Sequence, residues 1–262
     1  MDDPSWLMGA EPTALEDYRA LLPAADTKAP NLAGVNRKLF LAMTSRTGGT
    51  LLSEALIPFG LLVGEYLSLG HVRQFRDQHG VRDYGDLCAH HAAEYAPHGA
   101  FGVRGNLQMM APLFLASEFP DAIPKWKFVY LTRRNLVRQA ISLVIAEKSG
   151  AWTSRTTAKH PVVDADYSAA EIAREMRGIT RLQGRLELFF AIHAVKPLRL
   201  TFEDLVADIP GTAAKVAKHC RLAPQPEFAR KRGKTEPLQP LTSELNIEWE
   251  RRFRRDALAA TL

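Results

Sequence analysis

The segment that most constrains the fold is Lys38-Leu39-Phe40-Leu41-Ala42-Met43. This apolar run stops at Thr44-Ser45-Arg46-Thr47-Gly48-Gly49-Thr50 and is followed by Leu51, Leu52, Ala55 and Leu56 at helical spacing. A short continuous apolar run reads as a strand buried on both faces, and the change of period across the glycines reads as strand, turn, helix. Such a turn directs unpaired backbone N–H groups and the positive end of a helix dipole at whatever lies above it, which is how anions are bound. Gly48 and Gly49 let the backbone come close to a phosphate, Thr47 and Thr50 add hydroxyl donors, and Arg46 adds a planar fork of permanent charge. The loop is not a Walker A motif. GxxxxGK[ST] places a lysine after its last glycine, whereas here the basic residue, Arg46, precedes the glycines.

Three further runs have the same buried character: Phe101-Gly102-Val103, Phe128-Val129-Tyr130-Leu131 and Leu198-Arg199-Leu200-Thr201-Phe202. Long helix-prone segments separate them, so the pattern predicts an α/β fold with a central, mostly parallel sheet flanked by helices. Between Ser168 and Val195, Ile172, Met176, Ile179, Leu182, Leu186, Phe189 and Phe190 recur every three or four residues, predicting one long amphipathic helix. Residues 1–34 lack sustained periodicity beyond a short helical stretch around Leu15–Leu22 and read as an N-terminal extension, with a single domain over 35–262.

Composition narrows the class. With 46% hydrophobic and 24% charged residues among 262, the chain has material for a sizeable core, and disorder, collagen and coiled coil are excluded. The net charge is +5, yet the first thirty residues hold six acids against Arg19 and Lys28, so the body is more basic than the total and draws polyanions. Cys88 and Cys220 have no CxxC partner, which suits a reducing compartment. The longest uncharged apolar stretch, Ala55–Gly64, is far short of the ~18 residues of a membrane span, and Pro58 interrupts it. The acidic opening Met1-Asp2-Asp3-Pro4 is unlike a secretory signal, so a cytoplasmic protein is expected. His90, His91 and His98 lack a metal-binding spacing, and no metal is expected.

A second anion-binding pattern follows the third run. Thr132-Arg133-Arg134 ends a strand, and Ser142 stands eight residues beyond Arg134 on the helix that follows, so the two side chains can close on one phosphate from two sides. Taken together, the two segments resemble the nucleotide-dependent sulfotransferases, which bind 3′-phosphoadenosine 5′-phosphosulfate (PAPS). In that superfamily a strand–loop–helix holds the 5′-phosphosulfate, and an Arg with a Ser eight residues on holds the 3′-phosphate. More narrowly, Ser45–Leu56, Arg134–Ser142 and Gly150-Ala151-Trp152 are similar to the RSGST-type loop, RQAVS-type helix start and G-V-W of the bacterial trehalose 2-sulfotransferase-like group. Phe202-Glu203-Asp204-Leu205 resembles the superfamily's YED-L segment, and Trp249–Arg254 resembles the group's W-x-x-R-F-R helix.

The resemblance implies a P-loop-like sulfotransferase fold, with PAPS as sulfuryl donor and the hydroxyl of a saccharide or glycolipid as expected acceptor, and it suggests a homodimer. It assigns donor binding to Arg46, Thr47, Gly48, Gly49, Thr50, Arg134, Ser142 and Phe202. The late basic run adds Arg230, by analogy with an R-K-G segment in other branches. In-line attack needs a base for the acceptor hydroxyl and cations for the departing charge. Glu65, in Gly64-Glu65-Tyr66, resembles the group's Glu-aromatic-aromatic element and is the expected base; Arg46 and Arg104 are the expected cations. Three positions depart from the pattern. Gly49 stands where the family usually has Ser or Thr, Phe202 replaces a tyrosine, and Asn106 stands nearest to the catalytic histidine of the animal enzymes. A P-loop-like kinase and a non-catalytic polyanion binder are the competing readings; few aromatics interleave the basic runs, so nucleic acid is not an expected partner.

Overall fold

The computed structural model describes residues 12–24, 32, 34–116, 123–232, 238 and 243–259. In chain order the elements are α1 (Pro12–Leu21), β1 (Arg37–Met43), α2 (Gly49–Ala55), β2 (Val63–Gly64), α3 (Leu69–His79), α4 (Tyr84–Tyr95), β3 (Ala100–Gly105) and α5 (Ala111–Leu115). The second half holds β4 (Trp126–Thr132), α6 (Leu136–Ser149), α7 (Ala169–Ile192), β5 (Leu198–Thr201), α8 (Phe202–Ala207), α9 (Ile209–His219), α10 (Pro226–Arg232) and α11 (Glu244–Ala259). Side chains start several of the helices. Ser68, Asp83, Asn135, Ser168 and Asp208 each accept a backbone N–H from the first turn, and α3 and α6 end on Gly80 and Gly150 in the left-handed conformation.

All strand pairs are parallel, in the order β2-β3-β1-β4-β5. β1 is therefore central, and the chain leaves it with β3 on one side and β4 on the other. The carboxyl end of such a strand is where open α/β sheets hold ligands. Alternation along β1 divides the core: Phe40 and Ala42 join a cluster with Phe101, Phe128 and Phe189, while Leu39, Leu41 and Met43 join one with Leu52, Val129, Leu131 and Val216. The runs of β1, β3 and β4 are strands because both of their faces are covered. The fourth run, β5, is an edge strand among the described residues, in which Leu200 is buried and Arg199 is exposed, so its expected buried character is not met. β2 escapes sequence reading, being two residues inside a longer apolar stretch.

A third cluster joins α6, α7 and α11 through Ile141, Val144, Ile172, Ile179 and the fully buried Trp249. Glu250 ties α11 to α6, accepting from Asn135 Nδ2 at 2.9 Å and Arg138 Nε at 2.5 Å. Burial opposes its charge, but hydrogen bonds from Asn135, Arg254 and Arg138 hold its carboxyl down at about 2. The basic run on α11 is a solvated face in which Arg251, Arg252, Arg254 and Arg255 each meet a carboxylate.

The boundary drawn at residue 34 separates sequence character rather than packing. Leu15, Tyr18 and Leu22 on or beside α1 lie in the main core, Tyr18 Oη donates to the Leu67 carbonyl at 2.6 Å, and Tyr84 Oη donates to the Tyr18 carbonyl at 2.6 Å. Cys88 and Cys220 are buried and form no disulfide. Among the described residues no helix is long and apolar enough to cross a membrane.

Candidate active site

The loop between β1 and α2 is held from below and from the side. Thr47, wholly buried, donates its hydroxyl to the Thr44 carbonyl at 3.0 Å, so this threonine braces the turn and is absent from the cavity wall. Gln139 on α6 donates to Thr44 Oγ1 at 2.9 Å and to the Ser45 carbonyl at 2.7 Å. The helix that carries Ser142 is thus bolted to the loop that carries Arg46. Gly48 adopts φ +88°, and a Cβ there would fall 2.8 Å from the Phe202 ring. Arg46 itself has φ +68°, a costly conformation for a side-chain-bearing residue that persists where the surroundings enforce it.

Gly49 has a local explanation. A Cβ at this position would lie 2.1 Å from Met43 Sδ, so the methionine ending β1 occupies the space that the family's Ser or Thr would need. Gly49→Ser is expected to cost about 1 kcal/mol, the low end of overpacking, because the flexible end of Met43 is what must shift. The penalty should shrink in a Met43→Val background, measured by urea denaturation as a double-mutant cycle; equal penalties in both backgrounds would exclude Met43 as the cause.

Above the loop lies a cavity of about 420 Å³, and its wall includes Arg46, Gly48, Gly49, Thr50, Glu65, Arg104, Arg133, Ser142, Trp152 and Phe202. Arg46 Nε donates to Ser142 Oγ at 2.9 Å and its Nη1 to the Trp152 carbonyl at 2.5 Å. The two anion-binding segments, separated by nearly a hundred residues in sequence, therefore meet. Arg133 donates to the Arg46 carbonyl at 3.4 Å, with its guanidinium 4.5 Å from the Phe202 ring centroid. Its Nε is buried with no hydrogen-bond partner. Burial, and then the like charge of Arg133, lower the Arg46 proton affinity below the ordinary arginine value; burial lowers that of Arg133 as well. Two desolvated cations beside a glycine turn call for an anion.

Glu65 and Arg104 face the same cavity. Arg104, 15% exposed, donates Nη1 to Ser53 Oγ at 3.2 Å, and its Nε lies 3.4 Å from Glu65 Oε1, an ion-pair contact without hydrogen-bond alignment. The Glu65 side chain is 48% exposed. Glu54, the other carboxylate near the loop, pairs with Arg155 through both of its oxygens.

Besides Thr47, two further expected residues lie off the cavity wall. Arg134, 61% exposed, donates Nη2 to Asp204 Oδ1 at 2.6 Å, and its backbone N–H donates to Glu203 Oε2 at 3.0 Å; Arg133 stands on the wall instead. Arg230 is exposed on α10 beside Glu227, and the rest of its basic run falls on side chains outside the described residues. Sequence reading missed Arg133, Gln139 and Trp152. The paired arginines and the Gly-Ala-Trp segment drew attention to their neighbourhood without saying which side chain faces inward. Among the described residues, no group of three or more His, Cys, Asp or Glu is arranged to hold a metal ion.

A parallel sheet with a glycine turn at its switch point, converging arginines, and an apolar wall of Phe202, Val206 and Ile209 define an α/β protein that holds a phosphorylated nucleotide. The family model of the Stf0 sulphotransferases matches residues 114–256, more than half of the chain. The chain belongs to this family, and with it to the PAPS-dependent sulfotransferases. Two solved structures are similar over 95% of the chain: retinol dehydratase in a complex with retinol and PAP, at 13% identity, and retinol dehydratase in complex with androsterone and inactive cofactor PAP, at 14%. Both have a TM-score of 0.43, and 95% and 94% of those chains are covered. No curated protein matches the chain.

Proposed function

We propose that the chain transfers a sulfuryl group from PAPS to a hydroxyl of a saccharide or glycolipid, with Glu65 as general base. One observation carries this reading: Arg46, Gly48–Thr50, Ser142 and Phe202 line the same cavity as Glu65 and Arg104. The donor supplies an activated sulfuryl group on a phosphate leaving group. In this assignment the loop N–H groups and Arg46 hold the 5′-phosphosulfate, and Ser142 with Arg134 holds the 3′-phosphate. Arg133 adds charge from the wall, and Phe202 packs against the adenine. The unpaired Arg133 Nε and the mutual repulsion of Arg46 and Arg133 fit a ligand with anionic groups at two ends.

Arg104 has two roles in this scheme. It steadies the Glu65 carboxylate at 3.4 Å, and it faces the oxygens on which charge grows during transfer. Glu65 takes the acceptor proton, because its carboxylate is half exposed at the cavity. Trp152, half exposed, with Thr153 and Ser154, gives the wall an apolar face beside hydroxyls, which supports a polyhydroxylated ring as acceptor.

PAP binding tests the donor assignment. Without magnesium, PAP at about 100 times its Kd is expected to stabilise the chain by ~2.7 kcal/mol, read as a rise in Tm. Arg46→Ala and Arg133→Ala should each weaken PAP binding at least tenfold, the effect of losing a hydrogen bond to a charged group of ~1.5–3 kcal/mol. Arg134→Ala decides whether that residue exchanges Asp204 for the 3′-phosphate: an unchanged PAP affinity removes it from the site. Stabilisation by Mg-ATP alone would favour a kinase.

A further inference from the structure

We propose that Tyr66 is a positioning residue: its ring, seated over the bare Cα of Gly64 and stacked on Tyr95, fixes the backbone of Glu65 so that the carboxylate faces Arg104. This rests on the reading of Glu65 as the base. Glu65 leaves the end of β2, a two-residue strand paired with β3 and, among the described residues, at the sheet edge. Its own side chain is half exposed and is not fixed by packing. Something else must hold its direction, because a reacting group displaced by about 1 Å can lose a hundredfold in rate.

The neighbouring ring is held by two partners. A Cβ at Gly64 would fall 2.4 Å from Tyr66 Cε1 and 2.5 Å from Cζ, so the Tyr66 ring folds back against the glycine. The ring also stacks on Tyr95, with centroids 3.9 Å apart and planes inclined by 7°. Phe101, His71 and His91 surround the pair with centroids within 6.3 Å of Tyr66. Tyr95 lies at the end of α4, where the preceding turn carries His91, whose Nε2 is 3.3 Å from His71 Nε2 on α3. The support behind the ring is therefore two helices joined by an imidazole pair.

The chain is pinned again just after Glu65. The Glu65 carbonyl accepts from the Ser68 N–H at 3.0 Å, and Ser68 caps α3 through its hydroxyl. Tyr66 packs into the core while Glu65 faces the cavity, so one residue anchors and the adjacent residue presents. Arg46, Ser142 and Phe202 are carried by the β1–α2 loop, α6 and α8, whereas α3 and α4 back the ring, so disturbing it should leave donor binding alone.

The experiment uses the full chain saturated with PAP and measures two things: the rate at which Glu65 is amidated by a water-soluble carbodiimide with glycine amide, read by peptide mass spectrometry, and PAP affinity. Tyr66→Ala and Gly64→Ala are expected to label Glu65 severalfold faster than wild type at unchanged PAP affinity, and Tyr66→Phe, which keeps the stacked ring, is expected to label more slowly than Tyr66→Ala. In turnover of labelled PAPS, the first two should lose about a hundredfold in kcat with the KM for PAPS unmoved. Wild-type labelling in both Tyr66→Ala and Gly64→Ala overturns the proposal. If Tyr66→Ala does not fold, Gly64→Ala asks the same question from the glycine that the ring folds against. Failure of the base assignment is seen separately, as full turnover by Glu65→Gln.

Discussion

Glu65→Gln is expected to lower kcat by about 10²–10⁴ while PAP binds as in wild type. The amide keeps the size of the carboxylate, so the loop geometry and the donor pocket stay in place; what is lost is the charge beside Arg104 and the ability to take the acceptor proton. The measurement is the rate of sulfated-product formation from labelled PAPS across a panel of saccharides, beside a PAP titration of the same sample. An Arg104→Ala variant should also slow transfer, because it removes both the group steadying Glu65 and a cation facing the developing charge. If Glu65→Gln turned over at the wild-type rate, the general-base role would pass to another group, and the position of Glu65 beside Arg104 would be that of an ordinary ion pair.

Much of this could be read from the chain before folding. β1, β3 and β4 announce themselves because buried parallel strands are continuous apolar runs, and α7 does so through its 3.6-residue period; β5, at the sheet edge, shows only the alternation of Leu198 and Leu200 around the exposed Arg199. The loop of Arg46–Thr50 and the Arg134…Ser142 spacing likewise pointed to two anion patches. Illegible features depend on what meets across the sheet. β2 is too short to have a pattern, and α1 is a short helix whose contact with the core runs through Leu15, Tyr18 and Leu21, with Leu22 just beyond it. Adjacent arginines cannot be told apart by spacing, and here Arg133 stands on the cavity wall while Arg134 lies over Asp204 and Glu203. Thr47 looked like a hydroxyl donor to phosphate but spends its hydroxyl on Thr44. Gly49 looked like the loss of a contact, yet the Met43 side chain leaves no room for one.

These differences share a cause. A motif records which residue types a site needs, whereas the packing behind it decides which member of the motif faces the ligand. Gln139 gives an instance: it carries no chemistry toward an anion, yet its two hydrogen bonds fix the loop to α6 and so set the separation of Arg46 and Ser142. The same division holds at the acceptor side, where Glu65 faces the cavity and the aromatic residues around Tyr66 face the core.

Those aromatic residues give the second large expectation: the chain loses stability as pH falls below 6.5, and His91 is the principal cause. His91 is fully buried, and desolvation, followed by the nearby His71, His90 and His79, brings its pKa down from 6.5 to about 3. In the unfolded chain the same imidazole takes a proton near pH 6.5, so between that value and about 3 the unfolded state binds more protons. The stabilisation is complete above pH 6.5 and is lost progressively as pH falls toward the folded value. Across the whole window the loss is on the order of 5 kcal/mol, and by pH 5 it is already about 2 kcal/mol. His71, lowered by burial against the opposing effect of Glu94, adds to the same trend. Against a total stability of about 5–15 kcal/mol this is a large share. Urea denaturation at pH 7.5, 6, 5 and 4.5 measures it, and His91→Phe, which suits the ring of Tyr66, Phe75 and Tyr95, should flatten the dependence. A His91→Phe chain that lost stability as steeply as wild type would place the acid sensitivity elsewhere. Because the imidazole pair backs Tyr95, and Tyr95 backs Tyr66, the first local loss on acidification is expected at Glu65, ahead of the Arg46 loop that is bolted to α6.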